Sequence, residues 1–157
     1  MSKITPCLWF DTQGEEAANF YTSVFPNSKI LDVSYYGPDT PRPEGTVLTV
    51  TFELDGQKFV ALNGGPEFQF NEAISFQVSC EDQEEVDRYW DTLTEGGEPG
   101  PCGWLKDKYG VSWQIIPTAL PRLLGDPDRE KANRVMQAML SMGKIEIEGL
   151  ERAAAHA

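Results

Sequence analysis

The stretch that decides the fold runs from Pro101 to Pro117 and reads PCGWLKDKYGVSWQIIP. It carries two of the four tryptophans and one of the three cysteines. Trp104-Leu105 leads in, Asp107-Lys108-Tyr109-Gly110 turns and Val111–Ile116 leads out, which is the pattern of a β-hairpin. Gly110 suits a turn position of positive φ, a region that a β-carbon disfavours. Side chains alternate along a strand, so Val111, Trp113 and Ile115 share one face and Ser112, Gln114 and Ile116 the other. The first face is apolar. The second sets an amide in mid-strand and is the candidate wall of a pocket.

Upstream, the same kind of module is legible twice. Ile4–Phe10 reads as a strand, Glu15–Phe25 as an amphipathic helix stopped by Pro26-Asn27, and Lys29–Tyr36 as a second strand. A Pro-rich loop over Gly37–Gly45 follows, then the strands Thr46–Leu54 and Gln57–Asn63 around an Asp55-Gly56 turn. Gly64–Asn71 links to a strand over Ala73–Cys80 and a helix over Gln83–Thr94, capped by Asp82 or Glu81 and ended by Gly96-Gly97. At an offset of 69 residues Glu15-Glu16 falls on Glu84-Glu85, Phe20-Tyr21 on Tyr89-Trp90 and Val24 on Leu93. The pattern is an internal repeat of strand, helix and three strands. A lone four-stranded sheet with one helix leaves a face bare, and two such sheets can curl around a shared cleft. Beyond the repeat, Asp126-Pro127 reads as the cap of a helix to about Met142, with Ala132, Val135, Met136, Met139 and Leu140 inward; Lys144–Leu150 is a short alternating or helical end.

The totals bound the function. A chain of 157 residues, 40% hydrophobic, can build one real core. A net charge of −12 opposes binding to nucleic acid or anionic membranes, and no apolar run approaches the roughly 20 residues that span a bilayer. Cys7, Cys80 and Cys102 form no CxxC pair. With no signal-peptide pattern, they are expected to be reduced thiols of a cytoplasmic protein. The one histidine, His156, lies next to the end of the chain, a poor place for a catalytic base.

With this hairpin, LNGG at 62–65 and EEAANFY at 15–21, the two-module pattern resembles the PhnB-like branch of the vicinal oxygen chelate (glyoxalase/bleomycin-resistance) superfamily, the group labelled 3-demethylubiquinone-9 3-methyltransferase domains. The resemblance spans roughly residues 3–148. It implies an α+β fold of paired βαβββ modules plus a C-terminal helix, in one domain over 1–157. Module one would lie at about 3–65, module two at about 72–117 and a helical extension at about 118–157. It also implies a homodimer. The superfamily's metal enzymes use a His, Glu, His, Glu set, the last Glu lying in a D-P-x-G-x-x-x-E motif. Carried over, that Glu falls on Gln114, at the end of Asp107–Gln114. The other positions fall near Ala73, near Thr5 or Pro6, and near Asn63. None offers a carboxylate or imidazole, and an amide oxygen is a weak ligand, so no metal and no cofactor are expected. The label implies methyl transfer. Yet the Gly-rich strand-to-helix turn of Rossmann-like methyltransferases has no counterpart, because Asn63-Gly64-Gly65-Pro66 leads into a linker.

The resulting expectation is a metal-independent protein that binds a small molecule, aromatic ones included, in an apolar cleft. Gln114 and Cys102 are the candidate catalytic residues, to polarise or attack the ligand. Asn63, Trp9, Trp104 and Trp113 are the candidate ligand-binding residues. Each has a plainer reading: a buried amide for Gln114, a packed thiol for Cys102, a turn residue for Asn63, and core packing for at least one tryptophan. Asp107 is expected to shape the turn. Three functions stay open: an enzyme, a stoichiometric binder of the antibiotic-resistance kind, and a scaffold whose cleft its own aromatics fill.

Overall fold

The 69-residue offset is realised in the helices. The computed structural model describes residues 2–156, and its first two long helices begin at Gly14 and Gln83. The first unit, up to Phe70, runs β1 (Cys7–Phe10), α1 (Gly14–Val24), β2 (Lys29–Tyr35), β3 (Val47–Leu54) and β4 (Gln57–Asn63). The second, from Asn71, runs β5 (Ser75–Cys80), α2 (Gln83–Thr94), β6 (Glu98–Pro99), β7 (Trp104–Lys106) and β8 (Ser112–Pro117). It continues into α3 (Ala119–Leu124), α4 (Arg129–Leu140) and α5 (Ile147–Ala155). The sheets are ordered β1-β4-β3-β2 and β5-β8-β7-β6, so both units share one topology in which the first strand pairs in parallel with the last. This is the α+β fold of paired βαβββ modules with helices after them.

Each sheet buries the face that its helix covers. In the first unit Phe10, Val50, Phe52 and Ala61 are buried with Ala17, Ala18 and Tyr21 of α1, and Tyr21 stacks on Phe52 at 6.3 Å. In the second, Leu105, Trp113 and Ile115 are buried with Val86, Tyr89, Trp90 and Leu93 of α2. Asp82 caps α2 by accepting from Glu85 N at 2.9 Å, and the Glu85 carboxylate reaches back to Glu81 N at 3.0 Å. Strand β1 is an edge strand that starts after Pro6, since proline cannot donate to a ladder. Strand β6 is only two residues long, with Pro99 and Pro101 cutting the ladder short.

The C-terminal extension holds the expected helix as α4, a helical rather than alternating end as α5, and a further helix, α3, ahead of both. It is three helices around a core of Leu120, Leu123, Val135, Ile145 and Leu150. The cap of α4 is Asp128, whose carboxylate accepts from Glu130 N and Lys131 N, two residues later than the Asp126-Pro127 reading. The inner face is also narrower than expected. Val135 is buried and Met139 packs on the core, whereas Met136 and Leu140 are exposed, because α3 and α5 cover only the side of α4 that carries Val135. A glutamine clasp fixes the extension to α2: Gln83 donates to Ile145 O at 3.0 Å and accepts from Ile147 N at 2.7 Å. Lys144 adds an ion pair to Asp87 at 2.8 Å, and together with the Gln83 hydrogen bond this holds the Asp87 carboxyl below the usual carboxylate range. Among the described residues no helix is long and apolar enough to cross a membrane.

Candidate functional site

The hairpin is locked from inside by Asp107. Its carboxylate is buried at 3% exposure and accepts from Tyr109 N at 2.9 Å, Val111 N at 3.0 Å and the Trp113 indole N–H at 2.8 Å. Gly110 has φ +89°, the left-handed value anticipated for the turn. With Trp113 tied down on the helix-covered face, the opposite face of the sheet carries Ser112 and Gln114. Strand register places Glu98, Lys106, Ser112 and Ser75 in one row across that open face, and Trp104, Gln114 and Gln77 in the next.

A cavity of about 400 Å³ opens on this face, wholly within the second unit. Pro99, Pro101 and Trp104 give it apolar walls, and Glu72, Glu98, Lys106 and Ser112 give it polar groups. Cys102 lies on its lining with φ +58°. Lys106 Nζ meets Glu72 Oε2 at 2.7 Å; the carboxylate raises the ammonium pKa, and the ammonium lowers that of Glu72, so both are charged at neutral pH. Ser112 stands apart. Its residue exposure is 1%, and its hydroxyl has no hydrogen-bond partner among the described residues. An unmet buried hydroxyl costs about 1–3 kcal/mol, so its presence on a cavity lining points to a group that completes it.

The residues singled out in the sequence divide. Cys102 and Trp104 come together on the cavity. Gln114 shares the open face, but its amide donates to Ser75 Oγ at 2.8 Å and accepts from Gln77 at 3.3 Å. Trp113 is core, on the helix-covered face. Asn63 and Trp9 lie in the first unit and are used by its fold. Asn63 Oδ1 accepts from Gly14 N at 2.7 Å, filling the start of α1, and Asn63 Nδ2 donates to Val47 O at 3.2 Å. The Trp9 indole donates to Gly65 O at 2.9 Å, and its ring meets Phe68 edge-on at 4.9 Å. A Cβ on Gly64 would stand 2.6 Å from Trp9 Cε2, which explains a glycine there. The LNGG motif is thereby a structural joint. A second cavity of about 490 Å³ borders Asn63, Tyr36 and Arg42. On its lining Tyr36 Oη donates to Asn63 O at 2.6 Å and Arg42 pairs with Asp11 at 3.3 Å.

Ser112, Lys106, Glu72 and Glu98 were not candidates on sequence grounds. The signal for Ser112 was present, since alternation had already put it on the face of Gln114.

The three thiols differ in access: Cys7 is exposed, Cys102 half-buried and Cys80 buried. Burial pushes the Cys80 thiol up to about 12 and raises that of Cys7 as well. Ellman's reagent at pH 8 is expected to titrate two thiols in the folded chain, the third appearing only in denaturant. Raising the pH to 10 should leave Cys80 silent, as its proton stays on below its raised pKa. Three fast thiols would contradict this packing.

The family model described as 3-demethylubiquinone-9 3-methyltransferase matches residues 2–116, which ends inside β8. The chain belongs to this family. The PhnB protein from Bacillus cereus is 40% identical, with a TM-score of 0.67 over 74% of this chain and 100% of that one. The fosfomycin resistance protein FosX from Listeria monocytogenes is 15% identical, with a TM-score of 0.57 over 80% of this chain and 98% of that one. A Pseudomonas aeruginosa protein is 19% identical, with a TM-score of 0.61 over 74% of this chain and 98% of that one. These last two share the fold, that of the vicinal oxygen chelate superfamily. No protein of curated function matches the sequence. The three-helix extension lies beyond the family match.

Membership raises two groups that the residues can be tested against. A divalent ion would need hard, charged donors, and the corresponding positions hold Gln114, Ala73, Asn63 and Thr5 or Pro6. Asn63 and Gln114 spend their amides on the fold, so this donor set does not suit a cation. A methyl donor would need a cradle of backbone amides. Among the described residues the three strand-to-helix turns are Asp11-Thr12-Gln13, Glu81-Asp82 and Thr118, without the glycines that let a backbone approach a cofactor.

Proposed function

We propose that this family member is a cytoplasmic, small-molecule-binding protein that works without a protein-ligated divalent ion. Its ligand sits in the cavity on the open face of the second sheet. The body of the ligand lies against Trp104 and the Pro99 and Pro101 rings, and one polar group reaches Ser112. Cys102 is a wall contact, and Gln114 fixes the neighbouring Ser75 hydroxyl so that Ser112 faces the ligand alone. The single observation that carries this reading is the buried Ser112 hydroxyl, without a hydrogen-bond partner among the described residues, on the lining of a cavity walled in part by Trp104 and two prolines. Pockets with mostly apolar walls and a few placed polar groups are the usual form of small-molecule sites. Binding rather than methyl transfer is favoured because the strand-to-helix turns offer no donor cradle.

The test is a crystallographic soak with small aromatic alcohols and amides. Density is expected against Trp104 with a polar atom at hydrogen-bond distance from Ser112 Oγ. Fragments that gather elsewhere while this cavity stays open would contradict the assignment. Turnover on quinones, ketoaldehydes or phosphonates that survives both Cys102→Ser and Gln114→Ala would remove any chemical role for those two side chains.

A further inference from the structure

Resting on that reading, we infer that the cavity selects its ligand by charge: it takes a small apolar molecule bearing an ammonium or other cationic group, and rejects the carboxylate counterpart. Three observations converge. Two carboxylates, Glu72 and Glu98, border the cavity against one ammonium, Lys106. Lys106 is already held by Glu72 at 2.7 Å, and strand register sets Glu98 directly opposite Lys106 on the same face. The ammonium is thus neutralised by one carboxylate, and the second is in surplus. Trp104 lies on the next row of the same face, two residues along β7, so an indole stands beside this surplus negative charge. An aromatic face next to a carboxylate is a recognised seat for a cation. The chain's net charge of −12 pulls the same way at long range.

An incoming carboxylate would find no free cation. It would have to break the Glu72–Lys106 pair or sit against Glu98 uncompensated. A cation meets Glu98 without disturbing that pair.

Three probes of matched shape test this: 2-phenylethylammonium, 2-phenylethanol and phenylacetate, titrated into the full chain by calorimetry at low salt. The ammonium probe is expected to bind about 5- to 10-fold more tightly than the alcohol, and phenylacetate most weakly, with the preference shrinking as salt screens the carboxylates. In the double variant Glu72→Gln/Glu98→Gln, Lys106 is left as the one charge on the lining, and the order should reverse in favour of phenylacetate. Lys106→Met should widen the ammonium preference. Both glutamates are exposed, so thermal melts are expected to stay near those of the parent chain. Equal or tighter binding of phenylacetate by the parent chain would overturn the charge selection and leave the cavity assignment standing. An order that the double variant does not change would overturn it too. Failure of all three probes to bind in the millimolar range would overturn the cavity assignment and this inference with it.

Discussion

Replacing Asp107 by asparagine is expected to destabilise the chain by about 2–4 kcal/mol, and replacing it by alanine by at least as much. The carboxylate is buried and accepts three hydrogen bonds, from Tyr109 N, Val111 N and the Trp113 indole. Asparagine can keep the two backbone bonds through its oxygen. Its amide N–H₂ would then face the Trp113 N–H, donor against donor, in a buried site. Urea unfolding reads the loss directly. The indole N–H resonance of Trp113 should move in the asparagine variant even where the chain stays folded. Lys106 and Ser112 flank the hairpin turn, so the bound state of any cavity probe should weaken in parallel. A change below about 0.5 kcal/mol would mean that Asp107 does not hold the hairpin.

Gly97→Ala is expected to cost roughly 3–5 kcal/mol or to prevent folding. A Cβ at this position would run into the backbone carbonyl oxygen of Lys106 and stand 2.7 Å from the carbonyl carbon of Asp107. Neither atom can yield by a rotamer change, since both belong to the main chain where β7 passes into the turn. The strand β6 would be pushed off β7, and Glu98 would leave its place opposite Lys106. For a chain of this length such a loss should lower the melting temperature by about 10 °C or more. The neighbouring Gly96→Ala makes a useful contrast. Gly96 has φ +79°, and an added Cβ there would stand 3.2 Å from Lys108 Cβ and clear of main-chain atoms, so the penalty is mainly backbone strain. Equal melting temperatures for Gly97→Ala and the parent chain would show that β6 does not approach β7 this closely.

These two residues also mark how far the sequence could be read. The hairpin turn, its Gly110 and the apolar Val111-Trp113-Ile115 face followed from alternation and turn chemistry, which are local properties. The paired modules followed from the 69-residue repeat of the helix pattern. Gly97 looked like the stop of a helix, because the close approach of Lys106 is a tertiary fact that no local pattern carries. The fold contacts of Asn63 with Gly14 and Val47, and of Trp9 with Gly65, were hidden for the same reason. Polar and aromatic side chains at strand ends serve a pocket or a joint equally well, and only the partners decide. In the extension, Asp126-Pro127 and Asp128 both offer good caps within three residues, and the carboxylate of Asp128 reaches the free amides. The open face of β8 was legible, but its critical hydroxyl was not. A serine in a strand is unremarkable until its oxygen is found closed off and unpaired.

That hydroxyl gives the most direct test of the account. Thermal unfolding of Ser112→Ala, with and without a saturating cavity probe such as 2-phenylethanol, should move in two directions at once. Without the probe the variant should be more stable by about 1–2 kcal/mol, because an unmet buried polar group has been removed. With the probe its gain in melting temperature should be smaller than that of the parent chain, because the ligand has lost its partner. A variant that is less stable without ligand, or that is stabilised by the probe as much as the parent chain, would show that Ser112 is satisfied within the fold and that the cavity is not the binding site.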